Sequence, residues 1–110
     1  MIRMMIQRQW FDAIKCGSKT VEGRLYDDKR KNIKVGGNII FFNGTDSVAV
    51  SVIGVILYSS FRHMLNCEGI ENVLPGMKNI DDGIQLYYSF SEYMMKESQG
   101  ILAIRFRIIS

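Results

Sequence analysis

The chain has 110 residues, of which 47% are hydrophobic, and a formal net charge of +3 at pH 7. A chain of this length builds one domain and buries enough surface for a core without disulfides or a metal. We therefore expect a single domain over residues 1–110. The longest apolar run, residues 48–58, is interrupted by Ser51 and Gly54. It is far shorter than the roughly 20 residues that cross a bilayer, so we expect no membrane partner.

Cysteine and histidine usage narrows the compartment and the chemistry. Cys16 and Cys67 are isolated and no CxxC pair occurs, as is typical of a reduced intracellular protein. Residues 1–8 lack the apolar core and small-residue cleavage site of a secretory signal. We predict a cytoplasmic location, or a nuclear one in a eukaryotic or viral source. His63 is the sole histidine, and metal-ligand spacing, GxSxG and phosphate-loop motifs are missing, so we predict no metal and no cofactor.

Short apolar or alternating runs predict the strands, at residues 4–6, 20–25, 39–42, 48–56 and 101–109. Asn43-Gly44 predicts a hairpin with a type I′ turn, whose two central residues both need positive φ. Gly54 indicates a bend or bulge of the kind that a barrel needs. In the last strand we expect the even-numbered apolar residues to face the core, and Arg105 and Arg107 to face solvent.

Apolar residues at helical spacing predict helices near residues 10–14, 59–66 and 79–97. Gly17 follows the first helix where a C-terminal glycine is expected, and Asn79 is placed to cap the third. The inward residues expected of the third helix are Ile84, Tyr87, Tyr88 and Met94 or Met95. Strands with interspersed helices predict an α+β domain built on a small curled β-barrel, with two or three flanking helices.

The motif at residues 17–25 is the best functional lead. Two-residue alternation places Thr20, Glu22 and Arg24 on one face of the predicted strand. Lys19 lies at the start of this strand, so a lysine, a carboxylate and a guanidinium converge within roughly 15 Å. Such a cluster suits an anionic or strongly polar ligand. The alternative is an ordinary solvated strand face, where ion pairs contribute about 0–1 kcal/mol.

Basic residues are unevenly distributed along the chain. Residues 15–34 hold half of all Lys and Arg, whereas residues 66–82 are net acidic. An asymmetric basic patch favours partners that carry phosphate. A solvated basic loop is the alternative.

The stretch from Gly17 to Arg24, GSKTVEGR, resembles the GxKxxExR signature of the ASCH domain, a family of the PUA-like β-barrel group. The similarity extends to residues 10–14 before the motif and to residues 100–104 near the end of the chain. The resemblance implies a cleft beside the barrel that binds RNA or a nucleoside-like small molecule. The residues implied to bind the ligand are Lys19, Thr20, Glu22, Arg24 and Tyr26.

Some small ASCH proteins that resemble this chain are amidohydrolases, which remove the acetyl group from N4-acetylcytidine. Their pattern combines a lysine, a threonine three residues later and a glutamate from a later loop. Lys19 matches, but Glu22 holds the threonine position, and a carboxylate substitutes poorly for a hydroxyl nucleophile. Glu68 or Glu71 is placed to supply the distal carboxylate. The catalytic residues implied are Lys19, Glu22 and Glu68, acting on a modified nucleoside or, as in RNA-cleaving relatives, on RNA.

Three functions stay open at this point. The first is a module that binds RNA or a nucleoside, and the second is a small hydrolase. The third is a protein-interaction domain with a vestigial cleft, in which the apolar, Met- and Tyr-rich residues 84–95 contact a partner. Family membership alone does not decide among them, because one fold hosts many chemistries.

Overall fold

The protein is built on a five-stranded β-sheet, which a computed structural model describes over residues 2–109. The strands are β1 (Ile2–Met5), β2 (Val21–Leu25), β3 (Asn38–Asn43), β4 (Asp46–Tyr58) and β5 (Ile101–Ile108). The helices are α1 (Arg8–Lys15), α2 (Phe61–Glu68), α3 (Ile70–Val73), α4 (Ile80–Tyr88) and α5 (Tyr93–Lys96), and a 3₁₀ turn at Glu97–Gln99 follows α5. α3 and α5 are single turns of four residues. The α+β class and the curled sheet, which forms a half-barrel, are as predicted.

The strand order is β1-β3-β4-β5-β2, so β1 and β2 form the two edges of the sheet. β1 pairs with β3 in parallel, and the other three pairings are antiparallel. β4, with 13 residues, is the longest strand and pairs with both β3 and β5. Its register shifts between Val52 and Gly54, which confirms the bulge predicted at this glycine. A bulge bends the strand that carries it, as a curled sheet requires.

The predicted hairpin joins β3 to β4, but its turn type differs from the prediction. Asn43 pairs with Asp46, so Gly44 and Thr45 are the two central residues of the turn. Only Gly44 has a positive φ, of 60°, which is the pattern of a type II′ turn rather than a type I′ turn. The side chain of Asn43 is used elsewhere, because its Nδ2 donates to the carbonyl oxygen of Ile6 at 2.8 Å.

Core residues cover the concave face of the sheet and fill the space between the strands and the inner faces of α1, α2 and α4. In β5, Phe106 is buried while Arg105 and Arg107 are exposed, which confirms the predicted alternation there. The first four residues of the strand, 101–104, are all buried because α2 covers their second face. Ile108, expected in the core, is 40% exposed at the far end of the strand. No helix within residues 2–109 has the length and apolar character needed to cross a membrane.

The third predicted helix is broken in two. α4 begins after its Asn79 cap as predicted, but it ends at Tyr88, where Ser89 donates backbone and side-chain hydrogen bonds to the last turn. Glu92 then adopts a left-handed φ of 67° before α5 begins. The change of direction turns the two following methionines outward, so the prediction that one of them faces the core is wrong. Met94 and Met95 are 60% and 82% exposed.

Gly23, in the middle of β2, allows two core side chains to lie against the strand. A Cβ at this position would lie 2.6 Å from Cε of Met64 and 2.9 Å from the hydroxyl oxygen of Tyr87. The bare backbone at Gly23 therefore sets how closely α2 and α4 approach β2. This is the close backbone approach that a glycine inside a strand indicates.

We expect Gly23→Ala to lower the free energy of unfolding by about 1–3 kcal/mol, because the added methyl group overpacks the core. Urea denaturation of the single variant, of Met64→Ala and of the double variant measures this effect. The loss in the double variant should be smaller than the sum of the two single losses, because shortening Met64 makes room for the methyl group. Additive losses would contradict the crowding that the distances indicate.

Candidate ligand-binding cavity

The chain turn after α1 directs Lys19 into the protein interior. Gly17, with φ of 88°, ends the helix, and the backbone amides of Ser18 and Lys19 both donate to the carbonyl oxygen of Ala13 at 3.0 Å. This geometry satisfies carbonyl groups at the helix end and reverses the chain. Thr20 then leads into β2, where its own backbone is fixed by hydrogen bonds to α3 and β5.

Lys19 is fully buried, with a relative exposure of 1%. Its ammonium group lies 2.7 Å from the carbonyl oxygen of Val21 and 2.5 Å from that of Val73. The third neighbour is Oε1 of Glu22, at 3.1 Å. An ammonium group has three N–H donors, so each has an acceptor here. Lys19 thereby ties β2 to the end of α3.

The second carboxylate oxygen of Glu22 joins this lysine to Arg24. Oε2 of Glu22 accepts a hydrogen bond from Nε of Arg24 at 2.8 Å, and Glu22 itself is 6% exposed. Nη2 of Arg24 donates to the carbonyl oxygen of Met5, also at 2.8 Å. Arg24 thus spans from one edge strand of the sheet, β2, to the other, β1. Lys19, Glu22 and Arg24 form a single line of buried charges, which we call the charge relay.

Burial and charge act in opposite directions along the charge relay. Burial lowers the pKa of Lys19 and outweighs the opposing effect of the Glu22 carboxylate. Burial by itself raises the pKa of Glu22, but Lys19 and Arg24 together hold it below its usual value. Burial disfavours the charged form of Arg24, but the Glu22 carboxylate outweighs this effect, so the pKa of Arg24 is raised. Glu22 is therefore ionised at neutral pH, with a cationic side chain on either side.

A cavity of about 270 Å³ lies against Glu22, Gly23 and Arg24, close to the lower end of the roughly 300–1,000 Å³ range of ligand pockets. Its other walls are mostly apolar and aromatic. They are formed by Trp10, Leu74, Leu86, Tyr87, Phe90 and Tyr93. Met5, Ile6, Gln7 and Ser91 complete the lining. An apolar cavity with a few convergent polar groups is the usual form of a small-molecule site.

The hydroxyl group of Tyr87 is the one buried side-chain polar atom within residues 2–109 that has no hydrogen-bond partner. Burial, and next the Glu22 carboxylate, raise the pKa of Tyr87 well above its ordinary value, so the hydroxyl keeps its proton. A buried donor without an acceptor costs about 1–3 kcal/mol. Because Tyr87 also lines the cavity, a bound ligand can supply the missing partner.

The structure separates the residues that the sequence grouped together. Glu22 and Arg24 line the cavity, whereas Lys19 lies behind them and does not. Thr20 precedes β2 and borders a different depression, together with Glu68. Tyr26 borders a third depression, beside Asp27 and Lys31.

Glu68 is held in an ion pair away from the cavity. Its carboxylate accepts two hydrogen bonds from Arg105, at 2.8 and 2.9 Å, and a third from the hydroxyl of Tyr58. The hydrogen bonds from Arg105 hold the pKa of Glu68 below its ordinary value. Burial and the bond to Glu68 raise the pKa of Tyr58 to about 12. Glu68 therefore anchors α2 to β5.

The aromatic lining is what sequence reasoning missed. Trp10 and Tyr87 were expected in the core because of their helical spacing, and they do pack there, but each also presents part of its surface to the cavity. Phe90 and Tyr93 reach it because the chain breaks after Tyr88. No group of three or more metal-ligating side chains occurs in the part of the chain that the structure describes.

Comparison with known proteins agrees with this geometry. The curled five-stranded sheet with its flanking helices is a fold of the PUA-like class. The ASCH domain family model matches residues 4–109, and the chain belongs to the ASCH domain family. No curated protein matches the chain.

Two solved structures are similar over nearly their whole length. The hypothetical protein PH0355 is 45% identical, covers 97% of each chain and superposes with a TM-score of 0.88. Protein PF0455 from Pyrococcus furiosus is 41% identical, with coverage of 99% of this chain and 97% of that one and a TM-score of 0.76. The S128A mutant of ZmASCH from Zymomonas mobilis is 12% identical over 96% of this chain and 66% of that one. Its TM-score of 0.66 is a likeness of fold alone.

We expect Lys19→Met to lower the free energy of unfolding by about 3–5 kcal/mol, the usual cost of removing one partner from a buried ion pair. The variant fills the same volume but leaves the carbonyl groups of Val21 and Val73 without a donor. Lys15→Met, at an exposed position of α1, is the matched control and should change stability by less than about 0.5 kcal/mol. Equal stability of the two variants in urea would show that the charge relay does not hold the fold.

At acidic pH the protein should lose unfolding free energy, in part because the Glu68 carboxylate becomes protonated. A carboxylate whose folded-state pKa is lowered stabilises the protein above its unfolded pKa, 4.5, and loses that contribution as the pH falls through the folded-state value. We therefore expect Glu68→Gln to show a smaller loss of unfolding free energy than the wild type between about pH 5 and pH 3. Glu71→Gln, at an exposed residue that has no ion pair within residues 2–109, should follow the wild-type curve. Parallel curves for all three proteins would refute this role of Glu68.

Proposed function

We propose that the cavity binds a nucleobase, presented either by RNA or by a nucleoside-like small molecule. The observation that carries this proposal is an aromatic cavity lined by Arg24, Glu22 and Tyr87, whose buried hydroxyl has no partner within residues 2–109. A nucleobase has two apolar faces and a polar edge. Its faces suit walls such as Trp10 and Tyr93, and its edge suits the polar groups.

The polar groups of the cavity favour a ligand with a carbonyl oxygen or a ring nitrogen at its edge. Arg24 uses its Nε and one Nη2 proton within the protein, which leaves three of its five N–H donors without a partner among residues 2–109. The Tyr87 hydroxyl adds another donor. Glu22 already accepts from two cations, but a carboxylate has about four lone-pair sites and retains capacity for an exocyclic amine.

Charge and compartment agree with a nucleic-acid ligand. Lys29 and Lys34 are exposed and belong to no ion pair within the described residues, whereas Arg30 and Lys31 pair with Asp27 and Asp28. The basic loop thus keeps part of its charge for phosphate groups. Both cysteines are free, as a protein acting in the reducing cytoplasm requires.

The geometry favours binding over hydrolysis. A catalytic Lys19 would have to touch the substrate, but it is 1% exposed and occupied by three acceptors. Glu68, the distal acid in that interpretation, borders a separate depression and is already paired with Arg105. Release of acetate from N4-acetylcytidine, or cleavage of a short RNA, by the wild-type protein would contradict the binding proposal.

Trp10 is the sole tryptophan and lines the cavity, so its fluorescence should change when a ligand binds. We expect Tyr87→Phe to weaken binding of a nucleoside by roughly two- to tenfold, the value of one hydrogen bond of about 0.5–1.5 kcal/mol. The same variant should keep or increase the free energy of unfolding, since it removes a buried hydroxyl that has no partner.

Tyr88→Phe is the matched control, because its hydroxyl donates to Glu97 at 2.6 Å and does not line the cavity. It should reduce stability and leave nucleoside affinity unchanged. Fluorescence titration and urea denaturation of both variants provide the four measurements. Unchanged affinity in Tyr87→Phe, or no response of Trp10 to any nucleoside or short RNA, would refute the proposed site.

A further inference from the structure

Beyond the part that α2 covers, the convex face of the sheet is open to solvent. The strand register brings alternate residues of β1, β3 and β4 and the end of β5 onto this face, which we call the outer sheet face. Its members are Arg3, Met5, Ile40, Phe42, Ser47, Ala49, Ser51, Arg107 and Ile109. All are exposed or half-buried, whereas Ile39, Phe41 and Val50, on the other face of the same strands, are fully buried.

The outer sheet face combines free positive charge with an aromatic surface. The guanidinium group of Arg3 lies over the ring of Phe42, 4.9 Å from its centroid. Arg107 pairs in register with Ser51 at the opposite side of the face. Neither arginine has an ion-pair partner among residues 2–109, and the face contains no carboxylate. Unpaired arginines beside a ring that is half open to solvent suit a ligand with both phosphates and stacking bases.

This face is continuous with the cavity. Met5, which is 60% exposed, lines the cavity, and its carbonyl oxygen accepts the hydrogen bond from Arg24. Arg3 lies two residues before Met5 on the same face of β1, a distance of about 7 Å along the strand. If one unit of a polymeric ligand occupies the cavity, the adjoining units of the polymer therefore lie within reach of Arg3 and Phe42.

We propose that the outer sheet face binds single-stranded RNA that continues from a nucleotide held in the cavity. Arg3 and Arg107 contact phosphate groups, and Phe42 with the plane of Arg3 supports a neighbouring base. This inference rests on the proposed function and makes the physiological ligand a polymer rather than a free nucleoside. A second copy of the chain fits the face less well, because its own outer sheet face would offer no carboxylate to pair with the two arginines.

The test compares a nucleoside with a single-stranded RNA of about eight nucleotides, a length within the usual site size for such proteins. Arg3→Gln/Arg107→Gln removes two charges from the face and breaks no ion pair. Lys15→Gln/Lys78→Gln is the matched control, because both lysines are exposed, lack ion pairs within the described residues and lie off the face. Affinity is measured by Trp10 fluorescence for the nucleoside and by anisotropy of labelled RNA over a range of salt concentrations.

The double arginine variant should bind the nucleoside as the wild type does. Its RNA affinity should fall, and the slope of log K against log salt should become shallower by about 1.4, since each contacted phosphate of a single strand contributes about 0.7. An unchanged slope, or an equal change in the lysine control, would overturn the inference. So would a concentration-dependent dimer that the arginine substitutions disrupt, because a second copy would then cover the face.

The two proposals fail separately. Suppose that Tyr87→Phe weakens binding of both the nucleoside and the RNA, while the double arginine variant binds both as the wild type does. The proposal for the cavity is then supported, and the proposal for the outer sheet face is refuted. If RNA binding depends on the arginines but not on Tyr87, the face is supported and the cavity proposal fails. If neither the nucleoside nor the RNA binds, both are overturned.

Discussion

The structure depends on the buried charge relay from Lys19 through Glu22 to Arg24. Each member holds a different part of the fold: Lys19 ties β2 to α3, and Arg24 ties β2 to β1. Moving such charges out of water is expensive, and the arrangement persists because every charged group has a close partner of opposite charge or a carbonyl acceptor. Glu22 is the central member: its loss would leave both Lys19 and Arg24 without a carboxylate partner.

The same pairing determines what the motif offers to a ligand. A lysine whose three donors are all occupied shapes the site from behind and does not enter it. The groups available in the cavity are the remaining donors of Arg24 and the hydroxyl of Tyr87. The motif therefore supplies the support for the cavity, and α4 with the segment after it supplies much of the wall.

Much of the fold followed from the sequence, because strand alternation, glycine positions and the Asn79 cap act over a few residues. The bulge at Gly54 and the cap of α4 are examples. The burial of Lys19 was not predictable, because its acceptors include the carbonyl group of Val73, which is distant in sequence. The segment after Tyr88 contains no glycine or proline, so the apolar periodicity predicted one continuous helix where the structure has a break. Long-range contacts also place Thr20 and Glu68 beside a depression separate from the cavity that Glu22 and Arg24 line, which strand alternation did not predict.

The way Arg24 joins β1 to β2 has a consequence for how the cavity is reached. The four strand pairings of the sheet are ladders of backbone hydrogen bonds, whereas its two edges, β1 and β2, are joined by a side-chain hydrogen bond from Arg24. Free energies of local opening vary across a protein, and they are low where two strand edges share no ladder of backbone hydrogen bonds. Local opening between these two edges therefore also changes the cavity wall, because the same Arg24 lines the cavity.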